Sequence, residues 1–155
     1  MGRMYSVSFV GVAVTAQQDF FEIVAAAGKP CVVHSIEIEQ STEVGDAQEE
    51  GLSILLKDGQ TTSGSGGSAP TPAPVNFTDA AAAFVAEVNN TTKASVGTIV
   101  TKRAWNWNVR LPFLKLFTPE TRPVVVGGAR MTVELATTPA DSITVSGTMM
   151  VEELG

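Results

Sequence analysis

The apolar residues of this chain recur with the period of two that is typical of β-strands. The clearest run is residues 31–40, where we expect one set of alternate side chains to face the core and the other to face solvent: Val32, His34, Ile36 and Ile38 inside, with Val33, Ser35, Glu37 and Glu39 outside. The same pattern marks strands at Leu52, Ile54 and Leu56, at Trp105, Trp107, Val109 and Leu111, and in residues 131–135 and 143–151.

The first run, residues 4–14, alternates in two phases. Tyr5, Val7 and Phe9 keep one phase, and the apolar positions from Val10 onward keep the other, with Gly11 beside the change. A one-residue slip of this kind is what a β-bulge produces, although a strand buried on both faces has a similar pattern.

One segment, residues 79–88, contains the run of alanines that favours a helix, with Thr78 or Asp79 as the cap. It is under three turns long, and Phe84, Ala86 and Val88 fit the start of a strand equally well. We expect a helical turn followed by extended chain. The pattern as a whole predicts an all-β fold. We expect an antiparallel, jelly-roll-like β-sandwich of about eight strands with at most one short helix.

Residues 59–74 are rich in Gly, Ser and Pro and resemble an interdomain linker. Neither flanking half contains enough strands to bury a core alone, so we predict a single domain, 1–155, with 59–74 as a long surface loop. Its Gly/Ser part, 61–68, is expected to be flexible. The part with Pro70, Pro72 and Pro74 is expected to be stiff, and we predict that 69–77 lies against another chain.

The charge composition excludes several kinds of partner. Ten basic and sixteen acidic residues give a net charge of −6, so the chain lacks the basic surface that nucleic acids and anionic membranes attract. No apolar run has the length of a membrane span, and the first residues lack the pattern of a secretory signal. We therefore expect no nucleic-acid or membrane partner, and folding in a cytoplasm.

Residues with catalytic or metal-binding chemistry are few. Cys31 and His34 are the single cysteine and histidine, and we expect both to be structural, with no cofactor and no metal. The Gly-rich stretch lacks a phosphate-loop ending. Six acidic residues lack the spacing of a calcium loop and are interpreted as a solvated face: Glu37, Glu39, Glu43, Asp46, Glu49 and Glu50. These patterns predict a protein that is not an enzyme.

Trp105 and Trp107 lie two apart on a predicted strand, so their rings share one face. They fit a core, a subunit interface or, as an alternative, a platform that stacks against sugars. The segment after them is unusually apolar for one that contains a proline. Together with the three prolines above, our candidate interface residues are Trp105, Trp107, Phe113, Leu114, Leu116 and Phe117.

Several stretches resemble a group of small proteins, encoded by tailed bacteriophages and prophages, that look like virion structural proteins. They are residues 1–9, 18–23, 45–52, 63–74, 89–92 and 139–147, together with Glu152 and Glu153. The resemblance implies a location in the phage head, with capsid decoration as the expected role. By analogy it implies a homo-oligomer, expected to be a trimer, that binds the major capsid protein. A tail, neck or baseplate component and a carbohydrate-binding module are the alternatives.

Overall fold

The computed structural model describes residues 2–42 and 49–155. Eleven strands account for its regular structure, so the predicted all-β sandwich is confirmed: β1 (Arg3–Val14), β2 (Gln18–Val24), β3 (Cys31–Gln40), β4 (Gly51–Thr62), β5 (Ala73–Pro74), β6 (Val85–Asn90), β7 (Ser95–Asn108), β8 (Phe113–Leu116), β9 (Val124–Val125), β10 (Arg130–Leu135) and β11 (Ile143–Glu153). The additional strands are mostly short ones, β5 and β9 having two residues each.

The strands form two antiparallel sheets. Sheet A has the order β5-β1-β11-β3-β8, with β9 also paired to β3, and sheet B has the order β6-β2-β10-β4-β7. Four pairs are nested along the chain: β1 with β11, β2 with β10, β3 with β8, and β4 with β7. Each sheet therefore takes strands from both sides of residues 59–74.

The core lies between the sheets and consists of the inward side chains of both. Tyr5, Phe20, Phe21, Phe84 and Trp107 are its largest buried aromatic residues. The bulge predicted in β1 is confirmed, because its register against β11 shifts between Phe9 and Val12, and Gly11 has a φ of 63°.

The first half of β3 corrects the predicted alternation. Met150 pairs with Ser35 whereas the next residue, Val151, pairs with Val33, so His34 is an extra residue in the ladder. This bulge reverses the phase on its N-terminal side. Contrary to the prediction, Val33 is buried, and Val32 and His34 lie half-buried on the outer face. Ile36 and Ile38 are buried as predicted.

The helix considered at residues 79–88 is absent, and the strand alternative is correct. Residues 85–90 form β6, in which Ala86 and Val88 face the core. The buried Glu153 carboxylate accepts hydrogen bonds from the backbone N–H groups of Ala83 (2.8 Å) and Phe84 (3.0 Å). These tertiary contacts hold the segment extended and override the weak helical preference of a short alanine run.

The loop within the Gly/Ser/Pro stretch is shorter than the predicted 59–74. Residues 59–62 belong to β4 and residues 73–74 form β5, which leaves 63–72 between strands. Strand β5 pairs with the edge of β1, where Tyr5 lies opposite Pro74. Pro74 therefore lies at an edge of sheet A, a position that tolerates a residue without an N–H group.

Candidate functional site

The predicted interface segment is divided by the alternation of β8. Phe113 is buried, and its ring meets Trp105 at a centroid distance of 5.6 Å. Phe117 also faces Trp105, at 6.3 Å, and Lys115 Nζ lies 5.8 Å from the same ring. These side chains close the gap between β8 of sheet A and β7 of sheet B, so their contacts lie within this one chain.

Leu114 and Leu116 point away from the core. They are 50% and 73% exposed, and the nearby Val124 and Val126 are 55% and 62% exposed. Strands β8 and β9 both pair with β3, so these four side chains follow one margin of sheet A. We call this group (Leu114, Leu116, Val124 and Val126) the outer strip.

The tryptophan pair does not form an open platform. Trp107 is 2% exposed, and its indole N–H donates a hydrogen bond to the Leu111 carbonyl at 2.7 Å. Trp105 is half-buried beneath Lys115 and the two phenylalanines. Stacking on a sugar needs a free ring face, and Trp107 presents none.

The predicted proline contacts are found within the chain. Pro72 is buried, Pro70 and Pro74 are half-buried, and the Val75 N–H donates to the Met4 carbonyl at 2.8 Å. Phe77, two residues further on, is 90% exposed. The structure thus places this arm on its own β1, and contact with a second chain stays a prediction.

The single cysteine and histidine have structural positions. Burial raises the pKa of the Cys31 thiol to about 12, a shift to which the Glu153 carboxylate adds, so the thiol stays protonated at neutral pH. His34 is half-buried on the outer face of sheet A, where its Nε2 lies 2.7 Å from Glu152 Oε2. The expected burial of Cys31 is confirmed.

The predicted acidic face is spread over separate regions. Glu37 and Glu39 are exposed on sheet A, and Glu49 lies near Arg110 at 3.8 Å. Glu43 and Asp46 lie outside the described residues. Within residues 2–42 and 49–155, no three His, Cys, Asp or Glu side chains converge on a possible metal position.

A buried polar network on the outer face of sheet B was not predicted from the sequence. Its centre is Glu22, 1% exposed, which lies beside Thr132 of the neighbouring strand. The Glu22 carboxylate accepts hydrogen bonds from Ser63 Oγ (2.7 Å), the Gly64 N–H (3.0 Å) and Asn90 Nδ2 (3.2 Å), and it also pairs with Arg130. Buried carboxylates require this degree of pairing.

Residues 63–68, which we call the Ser/Gly segment, cover this network. They were predicted to be flexible, but Ser65 exchanges two backbone hydrogen bonds with Thr92, and Ser68 exchanges two with Val88. A Cβ on Gly67 would lie 2.0 Å from the Val88 carbonyl oxygen. The glycines permit close approach of two backbones, which composition alone does not distinguish from flexibility.

Two further carboxylates complete the network. Glu134 pairs with Lys57 (2.6 Å) and Lys93 (3.0 Å), while Asp19 Oδ2 accepts the Ala94 N–H at 2.7 Å. Burial raises the pKa of Asp19 to about 7, with the negative charges of Glu134 and Glu22 adding to the shift. These contacts hold the Ser/Gly segment and the residues just before β7 against sheet B. Their role is structural.

No protein-family model matches the chain, and no curated protein does. Among solved structures, VP17, a capsid protein of bacteriophage P23-77, aligns with 100% of this chain and 97% of its own, at 8% identity and a TM-score of 0.19. A structural similarity this low supports no conclusion about this chain. Within the described ranges, no helix has the length and apolarity needed to cross a membrane.

Proposed function

We propose that this chain is a non-enzymatic structural protein of a tailed-phage virion. In this proposal it is made in the cytoplasm of the host bacterium and decorates the phage head, where it binds the major capsid protein as a homo-oligomer, expected to be a trimer. Support comes from the sequence resemblance and from the strand order of the sandwich. The strand order is the observation that carries the proposal.

With β5, β6 and β9 set aside, eight strands remain, and they pair as four nested antiparallel couples. We interpret this nesting as a jelly roll, in which one long folded ribbon is rolled into two sheets. Viral capsid domains, lectins and cupins use this architecture. The chain has one histidine, fewer than a cupin-type metal centre uses, and the burial of Trp107 removes the stacking platform expected of a lectin.

The outer strip supports self-association. It places four exposed apolar side chains along one margin of a sheet whose outer face also carries polar and charged residues such as Ser8, Thr148 and Glu37. Contiguous exposed apolar surface marks interaction sites, and a closed symmetric oligomer covers it in every copy. We therefore assign the subunit contact to the outer strip.

The location is tested with particles of the phage or prophage that encodes the chain. Heads and tails are separated on a density gradient, and the protein is quantified in each fraction by mass spectrometry. We expect it in the head fraction, in a constant ratio to the major capsid protein. Recovery with tails would replace the decoration role with the tail, neck or baseplate alternative, and absence from both would reject a virion role.

The subunit contact is tested by light scattering after size exclusion. Replacing Leu114 and Leu116 together by Ser should convert the oligomer to a monomer, because it removes apolar area from the centre of the contact. Leu111→Ser is the matched control, since Leu111 is also exposed but lies outside the outer strip. A monomeric wild-type protein at micromolar concentration would contradict the assignment.

A further inference from the structure

The free edges of the two sheets are unequal. Strands β5, β8 and β9 have two to four residues, and β6, with six, is bridged by Ser68. Strand β7 has fourteen residues and forms the outer edge of sheet B, with residues 95–104 exposed. Proteins normally keep free edges short or covered, since an unpaired edge accepts another strand. Among the described residues β7 is the longest strand at a sheet edge, and β1 is covered by β5 only at Tyr5 and Ser6.

A cleft of about 420 Å³ lies at this edge. Its floor is apolar and formed by Leu56 and Met131, which belong to the inner face of sheet B. One wall is Lys102 and Arg103 of β7, and the other is the 120–124 segment that leads into β9. The size and the apolar floor suit one or two side chains of an added strand.

The walls of the cleft carry an excess of positive charge. Three cations and two carboxylates line it: Lys102, Arg103, Arg122, Asp58 and Glu120. Lys102 pairs with Asp58 at 3.4 Å, and Arg103 donates to the Thr121 carbonyl at 3.5 Å. The Arg122 Nε atom is buried and has no hydrogen-bond partner among the described residues. Buried guanidinium N–H groups are normally paired, so an acceptor on a bound segment would satisfy this one.

We propose that β7 and this cleft form the acceptor site for an extended acidic–apolar segment of the partner protein. The segment would add a strand along β7, place an apolar side chain on Leu56 and Met131, and set a carboxylate against Arg122. Main-chain pairing supplies affinity and the pocket supplies specificity in such strand addition. Because the proposed partner is the major capsid protein, the inference rests on the proposed function.

Charge favours this occupant over the β7 strand of a second copy. Strand β7 contains Lys102 and Arg103 but no Asp or Glu. A second β7 would bring two more cations beside the cleft and no carboxylate to neutralise them. An acidic strand supplies both the hydrogen-bond acceptor and the opposite charge, so it complements the site where a copy does not.

The test is a heteronuclear NMR titration of the full chain with three synthetic peptides: alternating Val–Glu, alternating Val–Lys and alternating Ser–Glu. We expect the Val–Glu peptide to shift the amide resonances of β7 and of residues 120–124. The other two peptides should bind at least about tenfold more weakly, because each lacks either the charge or the apolar side chains. Binding of Val–Glu should weaken as salt is added.

Variants of the cleft locate the contact. Arg122→Gln should weaken Val–Glu binding by about tenfold, the loss expected for one charge-assisted pair. Lys102→Gln, at a more exposed position, gives a second test that does not depend on a half-buried residue. Arg3→Gln is the control, because Arg3 is exposed on sheet A. It should bind the Val–Glu peptide as the wild type does.

Equal binding of the Val–Lys peptide, or shifts confined to the outer strip, would overturn the proposal. So would a dimer that protects the β7 amides, since a second copy would then occupy the edge. The two proposals fail separately. Loss of peptide binding with the protein still in heads rejects the cleft alone, whereas peptide binding by a protein absent from heads rejects the virion role alone.

Discussion

The outer faces of the two sheets differ in what covers them. On sheet A the outer face is open and carries small hydroxyl side chains, such as Ser8 and Thr148, whose oxygens lie 3.1 Å apart at the surface. On sheet B the Ser/Gly segment covers the outer face, and Glu22 and Thr132 beneath it are each 1% exposed. Both outer faces carry charged residues, but those of sheet B are buried, whereas Glu37 and Glu39 on sheet A are exposed.

Sheet B departs from the usual expectation that charged strand residues face water. Sheet B buries carboxylates because each has partners on neighbouring strands or on the covering segment, Arg130 for Glu22 and Lys57 for Glu134 being the closest cations. The covering segment thus acts as a third layer held by polar contacts. Sheet A has no such layer among the described residues and remains available for contact with other molecules.

The largest effect expected is from Glu22→Gln. The amide cannot accept from both Ser63 and Gly64 while compensating Arg130, so a buried cation loses its partner and the free energy of unfolding should fall by about 3–5 kcal/mol. Urea unfolding measures this. The control on the open face, Glu37→Gln, should change stability by no more than about 0.5 kcal/mol. Equal effects of the two variants would remove the distinction between the faces.

A pH effect of intermediate size is expected from Asp19. Its pKa is about 7 in the folded protein, against the ordinary value of 3.8 for an exposed Asp, so between these two pH values the folded state holds a proton that the unfolded state has lost. The contribution of Asp19 to the free energy of unfolding is therefore fully present below pH 4. It declines as the pH rises to 7, by as much as about 4 kcal/mol.

Asp19→Asn isolates this contribution, because the amide is neutral at every pH and its oxygen still accepts the Ala94 N–H. Subtracting its stability curve from that of the wild type cancels the titration of the other carboxylates. The free energy of unfolding of the wild type minus that of the variant should decrease from pH 4 to pH 7, as measured by urea unfolding at each pH. A flat difference would show that Asp19 titrates alike in both states.

A smaller effect is expected from Gly67→Ala. The new Cβ would meet the Val88 carbonyl, so the Ser/Gly segment must lift, at a cost of about 1–3 kcal/mol. Hydrogen exchange at the Gly64 amide should accelerate in the variant. Gly51→Ala is the matched control, since a Cβ there meets nothing within 4 Å. A Gly67 variant as stable as this control would mean that the cover is loose.

The strands were predictable because alternation reports which face of a strand is buried. Residues 31–40 and the β1 bulge at Gly11 were found this way. The reversed phase of Val32 was not predicted, because the bulge at His34 cannot be recognised from the sequence pattern around it. Of the predicted interface residues, Leu114 and Leu116 lie on the surface and Trp107 is a core residue, and the interface itself stays a prediction. Apolarity alone does not separate a core from an interface.

By itself the sequence determined the all-β class, the alternation of most strands, and an acidic chain with a single cysteine and a single histidine. These depend on local periodicity and composition. Only the tertiary structure decided the nested strand order, the burial of Glu22 beneath the Ser/Gly segment, and the cleft beside β7. Each of these joins residues far apart in the chain, Arg130 and Glu22 among them. Their proximity follows from sheet register, which single positions do not encode.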